Sequence, residues 1–280
     1  MTIDSHMHFW RYTAAEYAWI ESNMTPLQRD FMPADAWSEM QRAGIDACVA
    51  VQVRQTLDET RWLLTLADQY SFIAGVVGWV DLRSADVEAQ IESVKHPKLV
   101  GVRHIVQAEP DDFLEEDGFR RGIAHLGRHG LAYDILIYAR QFRAAIDFAT
   151  AFPDGRFVLD HLGKPDIRAN GFDTWRRDLD RIAALPNVTA KLSGLVTEAD
   201  WNRWTIEDLH RYVNAALDAF GPDRLMIGSD WPVCTLAGDY DEVLDVVRTA
   251  ISGRPAEEQD AIFGGTAQRL WKLSALGWQG

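Results

Sequence analysis

The sequence predicts a single (β/α)8 barrel, an α/β fold, from two observations. Eight short apolar runs recur along the 280 residues, and a helical pattern follows each of them. Apolar runs with little polar alternation are typical of parallel strands covered on both faces. Their spacing of roughly 25–45 residues suits a closed barrel better than a doubly wound sheet. We therefore expect one domain over residues 1–280, with residues 256–280 as a C-terminal helical extension.

The predicted strands and helices alternate from the first residues onward. A Thr56/Glu59 pair and an acidic turn after Thr205 are typical of helix starts, and glycines 44, 130 and 221 stand where helical patterns stop. The segment 9–31 carries no predicted element and holds four aromatic residues, so we expect it to cover the barrel mouth. The predicted strands are 2–6, 47–51, 72–80, 99–103, 131–137, 157–159, 188–191 and 225–227, and the other predicted helices are about 34–43, 85–94, 118–128, 141–152, 173–185 and 239–251.

Composition limits the classes of partner. The chain has 42 acidic and 28 basic side chains, a formal net charge of −14, and no basic cluster, which disfavours nucleic-acid binding. Its apolar runs are too short to cross a membrane, and its start lacks a leader pattern. Cys48 and Cys234 have no metal-ligand spacing. We expect a cytoplasmic protein with a small-molecule substrate and no membrane partner, and we leave open whether it forms a homo-oligomer.

The strongest candidate site combines residues from both ends of the chain. Side chains alternate along a strand, so His6 and His8 point the same way roughly 6–7 Å apart. Asp230 follows the eighth predicted strand, and the C-terminal strand ends of a barrel share one mouth. A lone histidine is more often structural, but the three residues together favour function. They suit attack of water on an activated carbonyl.

Two cationic residues at strand ends each have two possible roles. Arg103 either pairs with an acid in the barrel mouth or presents its fork to a ligand oxygen. Lys191 either pairs with a neighbouring acid or contacts the substrate. The sequence has no nucleophile elbow and no phosphate-binding glycine loop, so we expect no organic cofactor.

Five segments carry a resemblance to a known family. They are Asp4 to Trp10, Gly101 to His104, Asp160 to Pro165, Lys191 to Leu195 and Gly228 to Pro232. Their order and spacing resemble the amidohydrolase superfamily, in its lactonase branch with L-fuconolactonase-like and L-rhamnonolactonase-like proteins. The resemblance covers the chain from end to end.

The resemblance implies roles for the strand-end residues. His6 and His8 are similar to the first-strand pair, His161 to the sixth-strand histidine and Asp230 to the aspartate that activates water. Where better-known members carry a bridging residue on strand four and a histidine on strand five, this chain has Arg103-His104 and Tyr133-Asp134. This departure argues against two metal ions. One divalent ion, zinc on His6, His8 and Asp230, and a metal-independent site both stay open.

The implied activity is hydrolysis of a sugar lactone to its aldonate. Asp230 would be the general base, with Arg103 and His161, or a zinc ion, stabilising the oxyanion. The scarcity of arginine at the mouth favours a neutral sugar over a dicarboxylate lactone. A decarboxylase, a dicarboxylate-lactone hydrolase and a non-catalytic sugar-binding barrel are the alternatives. The expected substrate-binding residues are Trp10, Arg54, Trp79, His104, Lys164, Lys191 and Trp231, with the tryptophans stacking on the sugar ring.

Overall fold

The barrel consists of eight parallel strands. A computed structural model describes residues 1–273. Each strand pairs with its sequence neighbour, in the order β1 to β8. The strands are β1 (Ile3–Met7), β2 (Ala47–Val51), β3 (Ile73–Gly78), β4 (Leu99–His104), β5 (Ala132–Ile135), β6 (Phe157–Leu159), β7 (Val188–Leu192) and β8 (Leu225–Ile227).

The first and last strands meet just beyond their carboxyl ends. A parallel bridge joins Met7 to Trp231. The Asp230 amide donates to the His6 carbonyl at 2.9 Å, and the His8 amide donates to the Trp231 carbonyl at 2.7 Å. The sheet therefore closes at the segment that carries the candidate site. The predicted (β/α)8 barrel is confirmed.

Helices cover the outside of the barrel. Glycines 44 and 130 adopt left-handed conformations at helix ends, as their positions in the sequence predicted. Thr56 and Thr205 accept hydrogen bonds from the third residue of the helix that each begins. The helices are α1 (Pro33–Ala43), α2 (Leu57–Gln69), α3 (Val87–Ser93), α4 (Asp117–Leu126), α5 (Phe142–Ala151), α6 (Phe172–Ala183), α7 (Leu195–Glu198), α8 (Ile206–Phe220), α9 (Tyr240–Ile251), α10 (Ala256–Asp260) and α11 (Thr266–Trp271).

The last C-terminal helix packs against the barrel core. A π-helical turn, Ala261–Gly265, joins α10 to α11. The side chains of Trp271 and Leu273 pack with inward-facing residues of the strands, among them Ile3 and Met226. Residues 274–280, the end of the predicted helical extension, lie outside the described residues. Across residues 1–273, no helix combines the length and apolar character needed to cross a bilayer.

The long segment after β1 folds over the barrel mouth. It runs from Phe9 to Phe31, and its two ends are joined by backbone hydrogen bonds between Trp10 and Phe31. The Trp19 side chain, 40% exposed, lines the cavity at the mouth. The segment therefore supplies part of the wall around the candidate site.

Candidate active site

A carboxylate surrounded by three imidazoles lies at the mouth of the barrel. Asp230 Oδ1 is 3.2 Å from His8 Nε2, 3.7 Å from His6 Nε2 and 3.9 Å from His161 Nε2. All four side chains are at least nine-tenths buried. The structure thus brings together the residues that the first, sixth and eighth strands were predicted to contribute.

A second aspartate holds the two ends of the site in register. Asp4 Oδ1 accepts hydrogen bonds from the amides of His6 and Ser229, both at 3.0 Å. Its Oδ2 accepts from the Tyr240 hydroxyl at 2.9 Å. Because the Asp4 carboxylate contacts β1 and the β8 loop together, it positions His6 next to Asp230. Asp230 itself has a φ of 59°, a left-handed conformation that turns its side chain back into the mouth.

His8 and His161 are each oriented by their second ring nitrogen. His8 Nδ1 is 2.8 Å from the Val51 carbonyl oxygen, which can only accept, so Nδ1 carries a proton. His161 Nδ1 is 2.8 Å from Ser193 Oγ. In both residues Nε2 is therefore the nitrogen turned toward Asp230.

A buried network of charges lies beneath His6. Lys191 Nζ is 2.5 Å from Asp134 Oδ2 and 2.9 Å from Asp160 Oδ1. Arg103 Nη1 donates to Asp160 Oδ2 at 3.2 Å, and Nη2 donates to the Gln52 carbonyl. Two cations thus balance two carboxylates, as buried charges require.

The surroundings shift the protonation of the acids in opposite directions. Burial raises the pKa of Asp134 to about 7, against the lowering effect of Lys191. Burial also disfavours ionised Asp160 and Asp230, but neighbouring cations, hydrogen bonds and the charge that the histidines gain at acidic pH outweigh it. Lys191, His6 and Arg103 hold the pKa of Asp160 well below its usual value, and the histidines lower the pKa of Asp230. Asp230 is therefore ionised at neutral pH.

Two of the histidines, His6 and His161, are neutral at neutral pH. Burial, followed by the charge of Lys191, lowers the pKa of His6 well below its usual value. Burial lowers the pKa of His161 to about 4, although Asp230 opposes the shift. Neutral imidazoles keep a lone pair that can bind a metal ion or accept a proton.

The four residues fit a divalent metal ion. Donor atoms of His6, His161 and Asp230 all lie within 4.8 Å of one another, and His8 Nε2 is 3.1 Å from His6 Nε2. Ligand atoms that share a tetrahedral zinc ion lie about 3.4 Å apart, given metal–ligand distances of about 2.0–2.1 Å. Three imidazoles and a carboxylate are donors that zinc prefers. The structure thus places His161 beside the predicted ligands His6, His8 and Asp230.

A cavity of about 310 Å³ opens above this centre. Of the predicted site residues, His8, Arg103, His161, Lys164 and Asp230 line it. Lys164 Nζ is 3.1 Å from Glu198 Oε1, and this carboxylate, against the effect of burial, raises the pKa of Lys164. The lysine therefore presents a fixed positive charge to the cavity.

Three of the seven predicted substrate-binding residues are core residues in this structure. Trp10 is fully buried and donates from Nε1 to the Arg29 carbonyl at 2.9 Å. Trp231 is 4% exposed and packs edge-on against Phe31. Lys191 is fully buried in the ion network. These contacts replace the sugar stacking expected of Trp10 and Trp231, and they match the acid-pairing alternative for Lys191.

Besides Lys164, which lines the cavity, three predicted substrate-binding residues lie beside the cavity rather than on its surface: Arg54, Trp79 and His104. Arg54 pairs with Glu16, and Trp79 Nε1 is 3.4 Å from His104 Nδ1. His104 is also 2.9 Å from Glu109 Oε1 through Nε2, and burial lowers the pKa of His104. Intramolecular contacts thus occupy the polar atoms expected to bind the sugar.

Sequence reasoning missed most of the cavity wall. The additional polar lining residues are Gln55 and Gln107, and Trp19 forms part of the aromatic wall. The aromatic content of the segment 9–31 indicated that it covers the mouth, but no pattern distinguished Trp19 from Trp10. The remaining lining residues are apolar: Val53, Ile105, Ala108, Leu136 and Val233.

Comparison with known proteins agrees with this geometry. The profile of the amidohydrolase family matches residues 3–273. An L-fucono-1,5-lactonase of Burkholderia multivorans is 44% identical, over 98% of this chain and 96% of that protein. An L-fucono-1,5-lactonase of Burkholderia ambifaria is 40% identical, over 85% and 82%. The crystal structure of an amidohydrolase from Burkholderia multivorans with bound zinc is 43% identical, has a TM-score of 0.96, and covers 98% of this chain and 100% of that one. The predicted resemblance is confirmed: this chain belongs to the amidohydrolase family.

Proposed function

We propose that this protein is a lactonase that hydrolyses a sugar lactone to its aldonate. The observation that carries the proposal is the ionised carboxylate of Asp230 at the base of the cavity, next to three imidazoles. The similarity to proteins named L-fucono-1,5-lactonase supports an L-fuconolactone or a related aldonolactone as substrate.

The chemistry follows from groups that line the cavity. Asp230 accepts a proton from water, and the resulting hydroxide adds to the lactone carbonyl. Arg103 faces the same cavity and stabilises the negative charge that develops on the carbonyl oxygen, and in a site without metal the second donor would be His161. The ring C–O bond then breaks, and the departing alkoxide takes the proton back from Asp230. The product is the open-chain hydroxy acid, which ionises to the aldonate.

A single zinc ion belongs to this proposal. His6, His8, His161 and Asp230 would hold it, and the related crystal structure with bound zinc supports the choice of metal. Zinc supplies Lewis-acid polarisation of a carbonyl. Chelation should abolish activity, and added zinc should restore it. Full activity in a chelated, zinc-free sample would instead identify Arg103 and His161 as sufficient.

The cavity favours a neutral sugar over a dicarboxylate. Among the described residues, Arg103 and Lys164 are the cations on its wall, and each already contacts a carboxylate. A substrate with two free carboxylates would need more unpaired positive charge.

The cytoplasmic location stays a prediction, and the choice between a monomer and a homo-oligomer stays open.

The direct test is proton release from a panel of aldonolactones. Replacing Asp230 by Asn should lower kcat by at least about a hundredfold, because the amide cannot accept the water proton. The matched control is Asp58→Asn, at a position 88% exposed on α2. Absence of proton release with every lactone would overturn the proposal. Carbon dioxide release from a carboxylated substrate would point to the decarboxylase alternative.

A further inference from the structure

The side-chain amide of Gln55 is fixed in one orientation at the cavity wall. Its Oε1 accepts a hydrogen bond from the Ile105 amide at 2.8 Å. A backbone N–H can only donate, so the atom that faces Ile105 must be the oxygen of the Gln55 amide. Its Nε2 has no hydrogen-bond partner within residues 1–273 and stays accessible to solvent. Because Gln55 lines the cavity, this nitrogen keeps its N–H groups for a ligand.

The backbone next to Gln55 is anchored as well. Glu59 Oε2 accepts from the amides of Val53 and Arg54, the two residues before Gln55. At its other end, the side chain contacts Ile105, which directly follows β4. Gln55 therefore bridges the segments after β2 and β4, across the end of β3. A donor held at both ends loses little conformational freedom when a ligand binds to it.

The cavity around this donor is suited to discriminate between ligands. The other lining residues include the apolar Val53 and Ile105, and a hydrogen bond is stronger in apolar surroundings than in water. A second fixed donor, Lys164, follows β6, which lies four strands from β2 in the eight-stranded barrel. The two donors thus lie on opposite sides of the mouth. A ligand between them meets N–H groups on both sides and must offer oxygen atoms to both.

We propose that Gln55 determines substrate specificity, by donating a hydrogen bond from Nε2 to a ring hydroxyl of the lactone. The inference rests on the proposed lactonase function and deepens it. The lactone carbonyl has to lie at Asp230 and Arg103, so the oxygen atoms left for Gln55 are those of the hydroxyl groups. Donors on opposite sides of the mouth select a polyhydroxylated lactone over a lactone with only alkyl substituents.

Monodeoxy analogues of the best aldonolactone substrate test the contact. In wild type, removal of the hydroxyl that Gln55 binds should lower kcat/KM about tenfold, the value of one neutral hydrogen bond. In Gln55→Met, a side chain of similar length without N–H groups, the same removal should cost less than about twofold. A merely structural role would lower kcat/KM by one common factor for all analogues. The same analogue profile in wild type and Gln55→Met would overturn the proposal.

Gln55→Glu separates the ligand contact from the contact with Ile105. The carboxylate keeps an oxygen for the Ile105 amide but turns the donor that faces the cavity into an acceptor. A substrate hydroxyl can rotate and donate to it, whereas a fluorine in its place can only accept. Relative to the hydroxyl substrate, the deoxyfluoro analogue should therefore react at least about tenfold less well with Gln55→Glu than with wild type.

Gln90→Glu is the matched control. Gln90 Oε1 also accepts from a backbone amide, that of Asp81 at 2.9 Å, but Gln90 lies on α3 and does not line the cavity. This variant should keep the wild-type ratio of fluoro to hydroxyl substrate. An unchanged ratio in Gln55→Glu as well would refute the role of Gln55.

The outcomes separate this inference from the proposed function. If wild type hydrolyses no lactone, both fail. If wild type hydrolyses lactones but the Gln55 variants have its analogue profile, only the role of Gln55 fails. If Gln55→Met does not fold, Gln55→Glu decides, because it keeps the contact with Ile105.

Discussion

Replacing Glu59 by Gln should remove a defined part of the pH dependence of stability. Glu59 is fully buried at the start of α2, and its Oε2 accepts from the amides of Val53 and Arg54 at 3.0 and 2.6 Å. Burial raises the pKa of Glu59 from 4.5 to about 7. The native state thus binds a proton that the unfolded state releases between these two values. Because the folded-state pKa is the higher one, Glu59 stabilises the fold at low pH, and this contribution is lost as pH rises to about 7.

The size of the effect follows from the shift. A change of about 2.5 pKa units corresponds to about 3 kcal/mol over the whole window, and roughly 2.5 kcal/mol of it falls between pH 5 and pH 8. Glutamine imitates the protonated acid and keeps an oxygen for both amides, so the variant should lose less stability than wild type over this interval. Urea unfolding at both pH values measures the difference, with the exposed α8 substitution Glu207→Gln as control. Identical pH dependence in wild type and Glu59→Gln would refute the reasoning.

Two further predictions concern the site. Gly194→Ala should abolish most activity, because the new Cβ would lie 2.5 Å from His161 Nδ1. The control Gly44→Ala has a similar φ and no atom within 4 Å of the new Cβ, so it should keep its activity and lose only about 1–3 kcal/mol of stability. Equal activities of the two variants would contradict this reasoning. Arg103→Lys keeps the positive charge but loses the paired N–H donors of the guanidinium, so kcat should fall about a hundredfold in the proton-release assay. The control Arg61→Lys, on the surface of α2, should keep wild-type activity. An unchanged kcat in Arg103→Lys would remove the arginine from the mechanism.

The sequence predicted which side chains meet at the barrel mouth because strand ends have a readable pattern. The period of two placed His6 and His8 on one face, and the eighth apolar run placed Asp230 at the same mouth. The tryptophans carried no such information. An indole that follows a strand can turn toward the cavity or into the core, and the packing of the segment 9–31 decided this for Trp10. That packing depends on contacts between residues far apart in sequence, which no local pattern encodes.

The turn after β6 contributes two of the predicted cavity residues from a strained but stable backbone. His161, Leu162, Gly163 and Lys164 all have φ values between 50° and 69°, a left-handed turn that costs roughly 1–2 kcal/mol for each residue other than glycine. Surrounding contacts compensate this strain: Trp175 Nε1 donates to the Leu162 carbonyl at 2.8 Å, and Glu198 holds Lys164. The turn brings His161 and Lys164 to the same cavity wall. The strained backbone thus places two polar side chains, three residues apart, on one cavity.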